Sequence, residues 1–333
     1  MAEKSKGRKV DDALLLQLAK FDSQFIELRN QFTNPKSHRR DLDFIRRVIQ
    51  WLQEGKEVTL AGTVPLIIGE RFTPSPNNPF PILEANKNFH LPYNFTHTPI
   101  YTCLSSLIEH YGDLNTEGFE KKFLKAKGKA DKLAKKYGIN RQRIIPIIIP
   151  SLKVANRIAD VNNPINSGYG LVIERGVFPL LENRCKKENV CFENWCNRMM
   201  AWEHLEFLRV YRDFLTGLTD DINIVLLLVD AFQGYSVQAC RWELDPYRSQ
   251  IIPAGSFVVA HLLVEMPQIL SEKEHIQFDA PGDLYRKEGK FNIFSSSVGF
   301  NIRKIGGVKK LIFSGDPAEC PDSTHSSVVI LNG

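Results

Sequence analysis

Residues Phe119–Pro150 constrain the fold more than any other stretch, because a lysine-loaded helix pattern runs directly into the most apolar short segment of the chain. Phe123, Ala126, Ala130, Leu133, Ala134 and Tyr137 recur at helical spacing and form one narrow apolar stripe. The other faces are almost all lysine. Between Gly118 and Arg143, eight Lys and two Arg stand against only Glu120 and Asp131, whereas the whole chain of 333 residues carries a net charge of only +5. The rest of the chain is therefore slightly acidic. Gly138 is placed to end the helix, and Ile144, Ile145, Ile147, Ile148 and Ile149 predict a buried strand bounded by Pro146 and Pro150.

A hydrophobic content of 43% with 24% charged residues predicts an ordinary globular protein with ample core. No run approaches the roughly 18 apolar residues a membrane span needs, since Ile222–Val229 is interrupted by Asn223 and closed by Asp230. The charged start, MAEKSKGRKVDD, lacks the apolar core of a secretory signal, so a cytoplasmic protein with free thiols is expected. Cys185, Cys191 and Cys196 lack the two-residue gaps of zinc hooks, and no metal site is expected.

Two amphipathic helices, one carrying Leu14, Leu15, Leu18 and Phe21 and the other spanning Asp41–Glu54, predict an N-terminal helical extension over residues 1–55. Gly55 separates it from a single α/β catalytic domain over 56–333. Val58–Ile68 reads as its first strand, and FTPSPNNPFP as a loop. Tyr169–Glu174 reads as a short strand and Phe192–Leu218 as the longest helix. Ile222–Val229 has no alternation and predicts a central strand covered on both faces. Short strands from about residue 276 make a β-rich tail. Strands alternating with helices argue for an α/β layer fold with a mainly parallel sheet and helices on both faces.

The lysine helix carries the strongest chemical signal, because dense, unmixed positive charge on a rigid element attracts phosphate backbones. Nucleic acid is the expected partner. Most charge runs are merely solvated faces, but this one is unmixed and is not shared by the rest of the chain. Glu265 gives the second signal: among Phe257, Val258, Val259, Ala260, Leu262, Leu263, Val264 and Met266 it must be paired, hydrogen-bonded or protonated. His261 lies one turn earlier on the same face. Together they could exchange a proton with a substrate, or simply tie two elements together.

The order of these features resembles the tRNA-dependent cyclodipeptide synthases, whose Rossmann-like fold is similar to the catalytic domain of class I aminoacyl-tRNA synthetases. In that family a basic helix that holds tRNA lies between two strands, as Lys121, Lys122, Lys125, Lys129, Lys132 and Lys136 lie before Ile144–Ile149. A later helix carries a tyrosine, three residues, a glutamate and then a proline; here the stretch is His261, Leu262, Leu263, Val264, Glu265, Met266, Pro267. A second tyrosine follows on a short strand, and Tyr285 stands in that place. The family's tyrosine is replaced by His261, and its early Gly-Ser-Asn signature is reduced to Gly62 and Thr63.

The resemblance implies aminoacyl transfer from charged tRNA to form a cyclic dipeptide, with aminoacyl-tRNA as partner. Glu265 would handle the amino group, Tyr285 would orient the ester, and Thr63 or Ser151 would be the nucleophile. Asp230, Gln233 and Tyr235 would line the same cavity at a strand end and receive the substrate side chain or amine. No cofactor is expected, since Gly168, Gly170, Gly306 and Gly307 lack phosphate-loop spacing. One alternative is a nucleic-acid-processing enzyme built on Asp230, Glu243 and Asp245. Another is a non-catalytic nucleic-acid-binding or assembly protein in which Glu265 is structural.

Overall fold

The computed structural model describes residues 68, 71–84, 100–165, 168–196, 205–285 and 296–332. The chain divides between Val64 and Pro65, and all described residues belong to the second unit. The expected N-terminal extension, the body of the Val58–Ile68 strand and Thr63 lie outside the described residues.

The expected strand after the lysine helix is β1 (Ile145–Pro150), all six residues buried. It pairs with β4 (Ile222–Leu228), Ile147 opposite Val225. On the other side of β4 lies β11 (Val329–Leu331), and beyond it β5 (Ile251–Pro253), so the order of this first sheet is β1-β4-β11-β5. All three pairings are antiparallel. The Rossmann-like, mainly parallel sheet is therefore corrected. An uninterrupted apolar strand reports that both its faces are covered, and this much holds for β4. Coverage does not report strand direction, because helices can pack on both faces of an antiparallel sheet as well.

Each face has its own core. One buries Leu226, Leu228, Val329 and Leu331 against α2 (Phe119–Tyr137) and α7 (Val237–Leu244). The other buries Val225, Leu227 and Ile330 against α1 (Ile100–Tyr111), α3 (Leu152–Ala159) and α8 (Ser256–Glu265). This odd–even split along β4 is the two-residue period of a strand.

A second, mixed sheet has seven strands among the described residues: β2 (Cys191–Asn194), β3 (Leu205–Phe207), β6 (Ile276–Asp279), β7 (Asp283–Tyr285), β8 (Ser296–Ile305), β9 (Val308–Pro317) and β10 (His325–Ser327). Two of its pairings are parallel, β10 with β6 and β2 with β9; the others are antiparallel. The strands from Ile276 onward are not an appendage. Between β10 and β11, Val328 donates its N–H to the Asp279 carbonyl and accepts from Ala254, so one C-terminal segment joins both sheets.

Two local expectations are also corrected. Tyr169–Glu174 is not a strand: it starts a helical run, α4 (Tyr169–Val172), a π turn at Ile173–Val177, and α5 (Phe178–Lys187). A short apolar run has no period long enough to separate the two states. Within Phe192–Leu218 the described residues hold β2, β3 and only a short helix, α6 (Arg209–Gly217). Pairing with β9 and β7 overrides the helical spacing of its apolar positions. A last short helix, α9 (Pro267–Glu272), follows α8.

Candidate nucleic-acid interface

The helix α2 is bounded by Gly118 and Gly138, both left-handed, with φ of 68° and 64°. Positive φ favours glycine at both ends. Ala130, Leu133, Ala134 and Tyr137 are buried in the core on one face of the first sheet, and Phe119 is buried in the other core. Lys121, Lys122, Lys125, Lys132, Lys135 and Lys136 are exposed, and Lys129 is half-buried. At about 100° per residue these seven cations share an arc of roughly 140°, along about 22 Å of axis from Lys121 to Lys136. Glu120 and Asp131 fall just outside that arc, about 40–60° beyond Lys135 and beside Lys127.

Both of those acids are engaged there. Tyr101 donates its hydroxyl to Glu120, and Arg141 donates to Asp131 at 2.5 Å. Two of the stripe's lysines have partners from other elements: Lys122 pairs with Asp220 at 2.7 Å, and Lys136 donates to Gln250 at 2.9 Å. Burial, and then the neighbouring Lys125, lower the Lys129 pKa from its ordinary value. Lysines four apart at 121/125, 125/129 and 132/136 repel one another by about 0.2–0.5 kcal/mol per pair. Folding alone does not call for such a surface.

The second signal resolves differently. Every residue of α8 is buried. Glu265 accepts the backbone N–H of Ile148 at 2.7 Å. Among the described residues β1 is the outer strand of its sheet, so donors facing away from β4 have no strand partner there, and the carboxyl supplies one. Burial raises the Glu265 pKa well above the usual range, opposed by the Ile148 bond, Cys103 and Arg184. His261 Nδ1 lies 2.7 Å from the Phe257 carbonyl and so carries the proton; Nε2 then accepts from the Tyr111 hydroxyl at 3.2 Å. Burial lowers its pKa to about 4, with the Phe257 bond opposing. Cys103 and Tyr111 both belong to α1, so the two groups tie α1 and β1 to α8.

No family model, curated protein or solved structure matched the chain. The reading of the site therefore rests on its own geometry. Among the described residues no helix is long and apolar enough to cross a membrane, and no three His, Cys, Asp or Glu side chains are grouped to hold a metal ion.

The other described site residues have surroundings of their own. Tyr285 is buried in the second sheet on β7, its ring so close to Gly315 that a Cβ there would lie 2.2 Å from it. Asp230 is held by Arg143, with Nε 2.9 Å from Oδ2 and a terminal nitrogen 2.8 Å from Oδ1, both residues buried. Gln233 bridges to Ser326, and Tyr235 donates its hydroxyl to the Phe72 carbonyl at 2.7 Å. Phe232 and Tyr235 belong to the core under α2 and α7, whereas α8 belongs to the core on the opposite face of the sheet. Of the acids in the processing-enzyme alternative, Glu243 accepts from Ser75 and Asn78, and Asp245 faces Arg248.

One buried cluster has no counterpart among the residues singled out from sequence. Asp283 accepts from the backbone N–H and hydroxyl of Ser256, at the start of α8, and from the Tyr169 hydroxyl at 2.9 Å. Burial raises its pKa to about 6, opposed by Ser256, Tyr169 and Arg241. Gly255 is needed there, because a Cβ would lie 2.1 Å from Asp283 Oδ1. Asp283 stands beside Tyr285 in the sequence, but nothing local ties it to a helix 27 residues away.

Proposed function

We propose that this protein binds nucleic acid through the lysine stripe of α2, reading the phosphate backbone rather than base sequence. The observation that carries this is the charge pattern on one helix: seven lysines on one arc, with both acids outside it and engaged by Tyr101 and Arg141. Phosphate contacts need cations on a rigid frame, and the buried face of α2 on the first sheet provides the frame.

Aminoacyl transfer from charged tRNA is the narrower form of the same proposal, since tRNA would use the same stripe. It requires Glu265 to meet a substrate amine, and Glu265 is 4% exposed and bonded to β1. The antiparallel first sheet also removes the fold that supported the resemblance. Binding without that chemistry is the reading the geometry supports best.

Fluorescence anisotropy with a labelled tRNA and a labelled DNA duplex, across a salt series, tests it. The wild type should bind both, with log affinity falling linearly in log salt. Replacing Lys121, Lys125, Lys129 and Lys132 by Gln should flatten that slope by about 0.7–0.9 for each phosphate that is no longer neutralised. Equal slopes and affinities for the two proteins would sink the proposal.

A further inference from the structure

The β8–β9 hairpin continues past its neighbours. β6 stops opposite Ile302, and β2 begins opposite Lys310. The Arg303–Lys310 row still has β2 beside it, and past that row β8 and β9 form, among the described residues, a two-stranded ribbon of two cross-strand pairs, Lys304 with Lys309 and Ile305 with Val308. At about 3.4 Å per residue it projects roughly 7 Å. Gly306 and Gly307, with φ of 59° and 83°, close it by a two-residue turn. Positive φ at both central positions is the geometry that matches strand twist.

Its chemistry is unusual for a strand end. Two successive rows place like charges directly opposite each other, which destabilises a sheet. The tip is apolar, with Ile305 41% and Val308 51% exposed. Lys310 pairs with Glu193 at 2.6 Å, Lys309 donates to the Ser271 carbonyl at 2.7 Å, and Arg303 donates to the Asn301 amide at 2.8 Å. The Lys304 side chain makes no hydrogen bond or ion pair among the described residues.

We propose that this ribbon is a second contact element for nucleic acid, and that its ligand is a double helix. The inference rests on the nucleic-acid reading of α2 and narrows it. A groove of duplex DNA admits a two-stranded ribbon, cations along its arms face the phosphates, and apolar side chains at a tip can wedge against base steps. A single strand offers the phosphates but no groove for the tip. Ile305 and Val308 therefore set the preference for duplex, and Arg303 and Lys304 add phosphate contacts.

Three folded variants test this against a duplex of about 20 base pairs, a single strand of equal length and vesicles of phosphatidylserine and phosphatidylcholine. The first is Ile305→Ser with Val308→Ser, the second Arg303→Gln with Lys304→Gln, and the third the α2 lysine-to-glutamine protein. The tip variant should weaken duplex binding by about five- to tenfold and leave single-strand binding and the salt slope unchanged. The Arg303/Lys304 variant should flatten the salt slope by about one to two. If both hairpin variants bind duplex like the wild type while the α2 variant no longer binds, the hairpin proposal fails and the α2 reading stands. If the α2 variant also binds like the wild type, both fail. Loss of vesicle binding in the tip variant, with duplex binding intact, would overturn the proposal in favour of an anionic membrane surface.

Discussion

Glu265 and Ile148, 117 residues apart, meet in a 2.7 Å hydrogen bond that ties α8 to β1, the outer strand of the first sheet among the described residues. The carboxyl thus satisfies one backbone donor of β1. Glu265→Ala leaves the Ile148 N–H buried without an acceptor, and a loss on the order of 1–3 kcal/mol in urea unfolding is expected. Glu265→Gln keeps the acceptor and should lose much less. The pKa of Glu265 is raised, so its stabilising form is the protonated one, present at low pH and lost as pH rises through the folded value. Unfolding measured from pH 5 to 9 should show that decline in the wild type and a flatter profile in Glu265→Gln.

His261 gives the opposite slope. Its pKa falls from 6.5 to about 4 in the fold. Between those values the unfolded chain takes up a proton that the native chain refuses, so stability drops as pH falls, by about 3 kcal/mol in total. His261→Phe should abolish this component. Identical pH 4–7 profiles for the two proteins would show that the buried imidazole is not titrating in this way.

Asp230 provides a test that separates structure from substrate binding. With Arg143 buried against it, Asp230→Asn removes a charge paired with the guanidinium, and about 3–5 kcal/mol of stability should go with it. Asp230→Leu with Arg143→Met should recover most of that loss. A fully stable Asp230→Asn protein would return the residue to the role of a waiting substrate anchor.

Elements with a strong local signature were legible in the sequence. The stripe of α2, the glycine at its end, and the runs that became β1 and β4 each carry their period or their lack of one within a dozen residues. Strand direction was not legible, because it depends on how distant segments return to the sheet: β11 enters beside β4 from a hundred residues downstream of it. Partners were not legible for the same reason. Arg143 and Asp230 are 87 positions apart, and the bond that satisfies Glu265 spans 117. Burial of Glu265 could be read from its neighbours, yet whether it faced a substrate or a strand could not, since both satisfy the same electrostatic demand.

The lysine stripe should show a trade between stability and binding. Like charges at four-residue spacing each cost about 0.2–0.5 kcal/mol, so replacing Lys125 and Lys132 by Gln relieves pairs with Lys121, Lys129 and Lys136. Glutamine has nearly the helix propensity of lysine, so nothing offsets the gain. Neither Lys125 nor Lys132 has the Asp220 or Gln250 contact that Lys122 and Lys136 have. The double variant should unfold at an equal or slightly higher temperature and bind a polyanion more weakly. In the merely solvated face, the same change raises stability and leaves polyanion affinity where it was. Thermal unfolding and anisotropy on one preparation read both quantities, and a variant that loses stability along with affinity would mean the lysines act through the fold.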